Sequence, residues 1–288
     1  MIWAGNTVVS KMAAGVIAPA AISFYRWLLA ALLLTPFLLL PTWRNRAAIG
    51  RHWPRLLALA LTGMVLYQSL AYFAAATTSA TNMGIILSTL PLLTLLLSGW
   101  LLGEAPSVAT VGGGLLSFAG LLWLIGQGDP ALLLRHGVRI GDGLMLLATL
   151  AYAAYGVLLR KWPLPLPTWQ ALYLQVLIAV PLLLPGWWLG PPAPLTAANL
   201  PLVLYAGIAA SILSAFLWMK GVAGLGAARA SIYMNLVPLM TALIAILLLS
   251  ERLHGYHLIG GAVTLAGVLL AQGVLPRRRS TAEKQASR

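Results

Sequence analysis

The chain contains no cysteine, which excludes a disulfide framework and a thiolate metal centre. Acidic residues are nearly as scarce. There are five Asp and Glu against 18 Lys and Arg, and none precedes Glu104. Only 8% of the 288 residues are charged, where soluble domains carry roughly 25%. The four histidines, His52, His136, His254 and His257, fall in loops or at the ends of apolar runs. A hydrolase or metalloenzyme working within a membrane needs an acid/base set near the midplane, so the chain reads as not an enzyme. There is no GxxxxGK[ST] motif, hence no ATP-cradling loop. The N-terminus, MIWAGNTVV, lacks a basic n-region and a cleavage site and does not read as a signal peptide. The net charge of +13 invites a nucleic-acid reading. The basic residues form no stripe interleaved with aromatics, however, and no nucleic-acid partner is expected.

What the chain does have is apolar length. It is 60% hydrophobic, in runs of about twenty residues, the length that crosses a hydrocarbon core of about 30 Å. This predicts an all-α polytopic membrane protein with the lipid bilayer as its constant partner. Pro, Gly and charge punctuation predicts ten transmembrane helices, near 1–14, 19–40, 56–78, 81–102, 108–126, 142–160, 168–190, 201–219, 227–249 and 256–275. The connection from Thr78 to Ala80 is short enough for a tight hairpin. With the N-terminus in the cytoplasm, thirteen Lys and Arg fall in inside loops and the tail. Three, Arg135, Arg139 and Arg252, fall outside. The positive-inside rule then predicts a cell (inner) membrane protein with both termini cytoplasmic.

Shifted by 147 residues, the chain overlays itself. From Ala80 to Leu122 there are 14 identities in 43 ungapped positions. They include Pro91 with Pro238, Glu104 with Glu251, Gly113 and Gly114 with Gly260 and Gly261, and Gly120 with Gly267. A shift of 149 continues upstream, pairing Trp3 with Tyr152, Asn6 with Tyr155, Lys11 with Arg160 and Arg26 with Gln175. Each copy holds five spans, an odd number, so the second must enter the membrane from the opposite side. The expected organisation is a first five-helix repeat over 1–126, an extracytoplasmic linker over 127–141, a second, inverted repeat over 142–275 and a basic cytoplasmic tail over 276–288. Span six begins near Gly141, which maps to a point before Met1, so the repeat predicts opening turns of the first helix upstream of it. Inverted repeats are a transporter pattern, with the substrate site near the midplane between the halves.

The stretch WAGNTVVSK is followed by an Arg inside FYRWLLAALLL. Each half then carries a mid-span Pro, GE or SE, and a Gly-rich helix: LPLL…LLGE…GGGLLSFAG and VPLM…LLSE…GGAVTLAG. In this order and twice over, these marks resemble the EamA-type transporters of the drug/metabolite transporter superfamily. The resemblance covers nearly the whole chain. It implies ten helices in two inverted halves and export of small metabolites. Within the superfamily the chain is most similar to aromatic amino-acid exporters.

Arg26 poses the sharpest question about the site. It lies seven residues into span two, about 10 Å at 1.5 Å per residue. A guanidinium there costs a few kcal/mol unless it is paired or wetted. The spans offer no interior acid, since Glu104 and Glu251 sit at helix ends and Asp142 at a helix start. Arg26, with Lys11 near the same level, would attract a substrate carboxylate; the alternatives are donation to backbone carbonyls or snorkelling. Pro91 and Pro238 are expected as hinges that free the carbonyls of Leu87 and Met234. Ser88 and Asn235, on the same faces, either line the cavity or satisfy those carbonyls. Tyr67, Ser214 and Trp218 occupy matching stripes of spans three and eight, with Ser211 on the latter. Asn6, Tyr152 and Tyr155 sit at repeat-equivalent places with Trp3, suited to stacking and cation–π contact or to packing. Trp43, Trp53, Trp162, Trp187 and Trp188 flank spans and read as an interfacial belt.

These residues predict a secondary transporter that exports small amphipathic metabolites, amino acids including aromatic ones, by alternating access. A nucleotide-sugar, polyamine or drug efflux carrier of the same fold is the alternative, with an intramembrane enzyme behind it. No cofactor is implied. Glu251, His254 and His257 have a spacing that could ligate a metal, but Gly255 points to a loop, and no metal site is expected. VGGGLLSFAG and GGAVTLAG could pack within the chain or between copies.

Overall fold

The computed structural model describes residues 1–103, 108–129, 131, 139–227, 230 and 233–273. Among these there is no β-strand. Six helical runs are long and apolar enough to cross a bilayer: Pro19–Arg44, Ile49–Ala75, Ala80–Leu102, Ile140–Lys161, Thr168–Trp188 and Leu200–Leu225. Shorter apolar helices cover Val111–Ile125, Val237–Leu249 and Gly255–Ala271. The protein is an all-helical, multi-pass membrane protein.

Local chemistry explains the boundaries. α1 (Ile2–Ala13) ends just before Gly15, which takes the positive φ of 83° that closes the turn. α2 (Pro19–Arg44) starts on a proline, whose missing N–H is harmless in a first turn. α3 (Arg46–Leu59) passes through a π-helical stretch, Ala60–Leu66, into α4 (Tyr67–Ala75). Ser79 caps α5 (Ala80–Leu87) by accepting from the Asn82 amide. α6 (Leu90–Leu102) and α7 (Val108–Ile125) complete the first part of the chain. α8 (Ile140–Lys161) carries Asp142 in its first turn and Arg160 and Lys161 in its last, each charge matched to the helix dipole. α9 (Thr168–Trp188) follows. α10 (Leu200–Leu204) runs through a second π stretch, Tyr205–Leu213, into α11 (Ser214–Leu225). A 3₁₀ turn at Tyr233–Leu236 leads into α12 (Val237–Leu249), and α13 is Gly255–Gly273.

The two proline hinges take a different form from the expected mid-helix kink. The helix stops at Leu87 and restarts at Leu90, so Pro91 falls in the first turn of α6 rather than the middle of a helix. Pro238 opens α12 in the same way. A proline cannot donate to the carbonyl four residues back and is welcome at a helix start, so the break falls just upstream. At the break the carbonyls of Ile85 and Ile86 accept the amides of Ser88 and Thr89 at 3.0 and 3.1 Å. The hydroxyls of Ser88 and Thr89 donate to them at 2.6 and 2.7 Å.

Packing of α7 against α13 settles where the glycine-rich helices go: against each other within one chain. A Cβ built on Gly113 would lie 2.5 Å from the Gly267 carbonyl oxygen and the Ala271 amide nitrogen. One on Gly267 would lie 2.3 Å from the Ser117 amide nitrogen. One on Gly120 would lie 2.5 Å from the Thr264 amide nitrogen, and one on Gly260 3.0 Å from the Gly120 carbonyl oxygen. The backbones therefore touch directly, as small residues permit in membranes. The contacts are crosswise: Gly113 meets Gly267 and Gly120 meets Gly260, whereas the sequence repeat pairs Gly113 with Gly260 and Gly120 with Gly267.

The remaining helices pack α2 on α9, α4 and α6 on α8, and α1 and α5 on α12. They enclose one main core that includes Trp27, Tyr67, Tyr152, Tyr155 and Trp218. Trp187 belongs with this interior packing, stacked on Phe24 at 4.9 Å, and not with the exposed Trp43, Trp53 and Trp188. Leu, Phe and Trp side chains such as Phe37, Trp100, Leu115 and Leu247 are exposed on the outside of the bundle, where lipid chains cover them.

Candidate functional site

Arg26 is completely buried. Its Nε donates to Ser211 Oγ at 2.7 Å, and its Nη1 to Gln68 Oε1 at 2.6 Å and to Tyr72 Oη at 3.0 Å. The guanidinium carbon lies 5.3 Å from the Trp27 ring centre and 5.6 Å from that of Tyr72. The partners come from α4 and the second π stretch. Gln68 and Tyr72 are four residues apart and share a helix face. Each hydrogen bond to a charged group contributes about 1.5–3 kcal/mol, enough to hold the side chain in place. Every partner is neutral, however, and Nη2 is buried with no partner. Arg26 thus uses side chains rather than the carbonyls or outward snorkelling considered from the sequence, and its charge has no anion among the described residues.

Lys11 does not join it. Its Nζ donates to the Ala75 carbonyl at 2.9 Å, at the end of α1 remote from Met1. The same end holds two carboxylates against the N-terminus of α5. Glu251 accepts from the Ala80 amide at 2.8 Å, the Thr81 amide at 3.2 Å and the Thr81 hydroxyl at 2.7 Å. Asp142 accepts from the Thr78 hydroxyl and, at 3.3 Å, from Asn82 Nδ2. Asp142 does begin a helix, as expected, but it is fully buried there.

Next to Arg26 lies a layer of aromatic rings. Tyr152 sits at its centre, 4.3 Å from Tyr67, 5.5 Å from Tyr155, 5.3 Å from Trp218 and 5.7 Å from Trp3. Trp3 and Trp218 meet edge-on at 5.2 Å. Offset and edge contacts of this kind are the favoured ones for aromatic quadrupoles. Gly63 makes room for Tyr155: a Cβ there would lie 2.7 Å from the ring. Trp218 Nε1 and the Tyr155 hydroxyl are buried donors without acceptors.

On one side of this layer is a cavity of about 530 Å³, lined by Met1, Ile2, Trp3, Ser214, Leu217, Trp218, Gly221, Met234 and neighbours. On the other is a remnant of about 10 Å³, lined by Trp3, Trp27, Gly63, Met64, Gln68, Tyr152, Ala210 and Ala215. Trp3 borders both spaces. The rings therefore separate a roomy apolar vestibule from the polar cluster around Arg26.

Of the residues expected at a site, the structure groups Arg26, Tyr67, Tyr152, Tyr155, Ser214 and Trp218. The Ser214 hydroxyl is turned back to the Ala210 carbonyl at 2.6 Å. Asn6 is buried on α1, three residues beyond Trp3, with Oδ1 unpartnered. Ser88 is buried and committed to the Ile85 carbonyl, and it lines neither cavity above. The backbone of Asn235 lies in the 3₁₀ turn, and its side chain is outside the described residues. Glu104 also lies outside them. His257 Nδ1 accepts from the His254 amide at 3.1 Å. Gln68 and Tyr72 were missed from the sequence. The available signal was a glutamine inside an apolar span with an aromatic hydroxyl one turn later.

Known proteins place this architecture. The model of the EamA-like transporter family matches residues 1–126 and 139–272. The chain belongs to that family. Among its relatives is an uncharacterized transporter of Archaeoglobus fulgidus, 31% identical over 278 residues, covering 94% of this chain and 93% of the relative. The uncharacterized transporter YyaM of Bacillus subtilis is 26% identical, covering 95% and 91%. Protein PecM of Dickeya dadantii is 28% identical, covering 80% and 77%. A solved crystal structure shares the fold with a TM-score of 0.65. It is 18% identical and covers 96% of this chain and 97% of that one. This EamA-family transporter thus carries its buried arginine and aromatic layer inside the family fold.

Proposed function

We propose that this transporter is a secondary carrier that exports small amphipathic metabolites, namely amino acids including aromatic ones, by alternating access. In this reading ten helices cross the cell (inner) membrane as two inverted five-helix halves, 1–126 and 142–275, joined by an extracytoplasmic linker, with both termini in the cytoplasm. The sequence repeat, the positive-inside count and the crosswise glycine contacts of α7 and α13 support that arrangement. Cargo enters the vestibule beside Trp3 and Trp218. The aromatic layer parts, and Arg26 receives the carboxylate while the rings receive the side chain.

The observation that carries this reading is Arg26, which has no anion among the described residues. It is a fully buried cation with only neutral partners and a free Nη2, one aromatic layer from an open cavity. A cationic drug or polyamine would be repelled by this arginine. The described carboxylates Asp142 and Glu251 instead hold the start of α5. The test is counterflow of labelled amino acids in proteoliposomes by wild type and Arg26→Gln. The variant should remain monodisperse and lose at least tenfold in carboxylate-substrate transport, the equivalent of one charge-assisted hydrogen bond. Normal transport by a well-folded Arg26→Gln protein would remove the reading.

A further inference from the structure

The start of α8 is wedged against the turn that joins α4 to α5. A Cβ built on Gly141 would lie 2.5 Å from Thr77 Oγ1 and 2.7 Å from the Ala74 carbonyl oxygen, so the two segments meet without a side chain between them. That approach carries the next residue, Asp142, into the junction with no exposed surface. There Asp142 Oδ1 accepts from the Thr78 hydroxyl and, at 3.3 Å, from Asn82 Nδ2. Its other oxygen, Oδ2, is buried with no donor among the described residues. The amide oxygen of Asn82 is in the same position: buried, on a side chain 6% exposed, and without a donor. Two side chains already in contact thus each hold an acceptor that nothing satisfies. An unpaired buried acceptor is costly, and more so when it carries charge.

The ionisable groups around the junction are engaged elsewhere or remote. Lys11 on α1 donates to the Ala75 carbonyl at 2.9 Å, and Glu251 accepts from the Ala80 and Thr81 amides at 2.8 and 3.2 Å. Arg139 is exposed at the N-cap of α8. On α13, Tyr256 lies within electrostatic range of both Arg139 and Asp142, and His257 accepts from the His254 amide at 3.1 Å. α4, α5 and α6 carry no Asp, Glu, Lys, Arg or His. Tyr72 of α4 is committed to Arg26, and Tyr67 to the aromatic layer. Arg55 of α3 is twenty residues from Ala75, about 30 Å along the same helical run, and Arg46, Arg51 and His52 lie further still. Lys220 of α11 follows Trp218, whose ring meets Tyr152 ten residues from Asp142, about 15 Å along α8. Arg160 and Lys161 lie at the far end of α8.

A divalent metal ion takes about six or more oxygen ligands. The junction presents one carboxylate, one amide and one hydroxyl already used as a donor. A proton asks for far less. Protonated Asp142 is itself a donor. The Asn82 amide, turned by half a rotation, sets its oxygen where Nδ2 now lies, 3.3 Å from the carboxyl group. One proton then supplies the donor that both orphan oxygens lack.

We infer that Asp142 and Asn82 form a proton-binding site, and that the junction of α8 with the α4–α5 turn closes on a protonated Asp142 and parts when the proton leaves. This rests on the alternating-access reading above, in which this end opens to release cargo, and it adds an ion to that cycle. Hydrogen bonding fixes the direction. In the packed junction the carboxylic acid finds an acceptor, whereas a carboxylate keeps an orphan oxygen. Once the junction parts, water hydrates the carboxylate and the acid loses its advantage. Low pH therefore favours the closed junction and higher pH the open one.

The experiment measures the distance between spin labels at Ala76→Cys and Ile140→Cys. Both positions are exposed, they lie on opposite sides of the junction, and the chain has no cysteine of its own. Pulsed electron paramagnetic resonance in nanodiscs at about pH 5 and about pH 8 is paired with amino-acid counterflow by the same labelled protein in proteoliposomes. The ratio of short to long distances should fall about tenfold from the lower to the higher pH, the worth of one net hydrogen bond. Asp142→Asn keeps the shape and supplies a permanent donor, so it should hold the short distance at both pH values. Asn82→Leu removes the acceptor and should lose the pH response. A ratio that ignores pH in labelled protein that still transports would overturn the inference. So would a pH response that survives in Asp142→Asn, which would assign the proton to another group. A pH-dependent distance, abolished in Asp142→Asn, in protein that carries no amino acid would sink the cargo reading and leave the proton site standing.

Discussion

Two adjacent glycines in α7 should respond to the same substitution with opposite signs. Gly112 has nothing within 4 Å of where a Cβ would sit, whereas Gly113 has the Gly267 carbonyl and the Ala271 amide at 2.5 Å. Alanine at Gly112 removes the helix penalty of glycine, about 0.8–1.0 kcal/mol. Alanine at Gly113 makes the same gain but places a carbon well inside contact distance of two backbone atoms. A side chain could rotate away from such a contact; a backbone cannot. To restore normal separation the two helices must part by about 1 Å. Overpacking a tight core costs typically 1–3 kcal/mol and occasionally more. A Cβ on Gly267 would meet the Ser117 amide at 2.3 Å in the same seam, so the backbones have little slack and the cost falls at the upper end. The net expectation is a gain of about 1 kcal/mol for Gly112→Ala and a loss of about 2 kcal/mol for Gly113→Ala. At roughly 2 °C per kcal/mol for a chain of this size, the melting temperatures should separate by about 6 °C. Intrinsic tryptophan fluorescence during heating in detergent reports it directly. Equal shifts of the same sign at the two positions would refute the backbone-to-backbone seam.

Gly63→Ala should disturb the aromatic layer, because the added methyl would lie 2.7 Å from the Tyr155 ring; a transport loss with little change in expression is expected, and unaltered counterflow would contradict the packing described. Glu251→Gln keeps one acceptor for the start of α5 but removes the charge, so stability should fall by about 1 kcal/mol. In this cysteine-free chain a single cysteine at Ser79 should label faster with a soluble maleimide in the Glu251→Gln background, and unchanged labelling would argue that the carboxylate does not hold the start of α5.

Much of the architecture was legible in residue order. Apolar runs of spanning length and the scarcity of charge dictate helices in lipid, because no other open structure satisfies its own backbone there. Proline positions marked where two helices would be interrupted, although each proline sits in the first turn of the restarted helix, where its missing N–H is harmless. The repeat pairs Arg26 with Gln175. It could not show that one would be embraced by Gln68, Tyr72 and Ser211 while the other kept an empty acceptor, because those partners lie 42, 46 and 185 residues away in sequence for Arg26. Nor could it choose between the two fates of the glycine-rich helices. A small-residue stripe says that a backbone will approach closely, not whose backbone. Composition and periodicity determined that this chain lives in a membrane as helices, since those properties act locally. The tertiary structure alone decided which buried polar atoms are satisfied, since that depends on what distant segments bring within 3 Å.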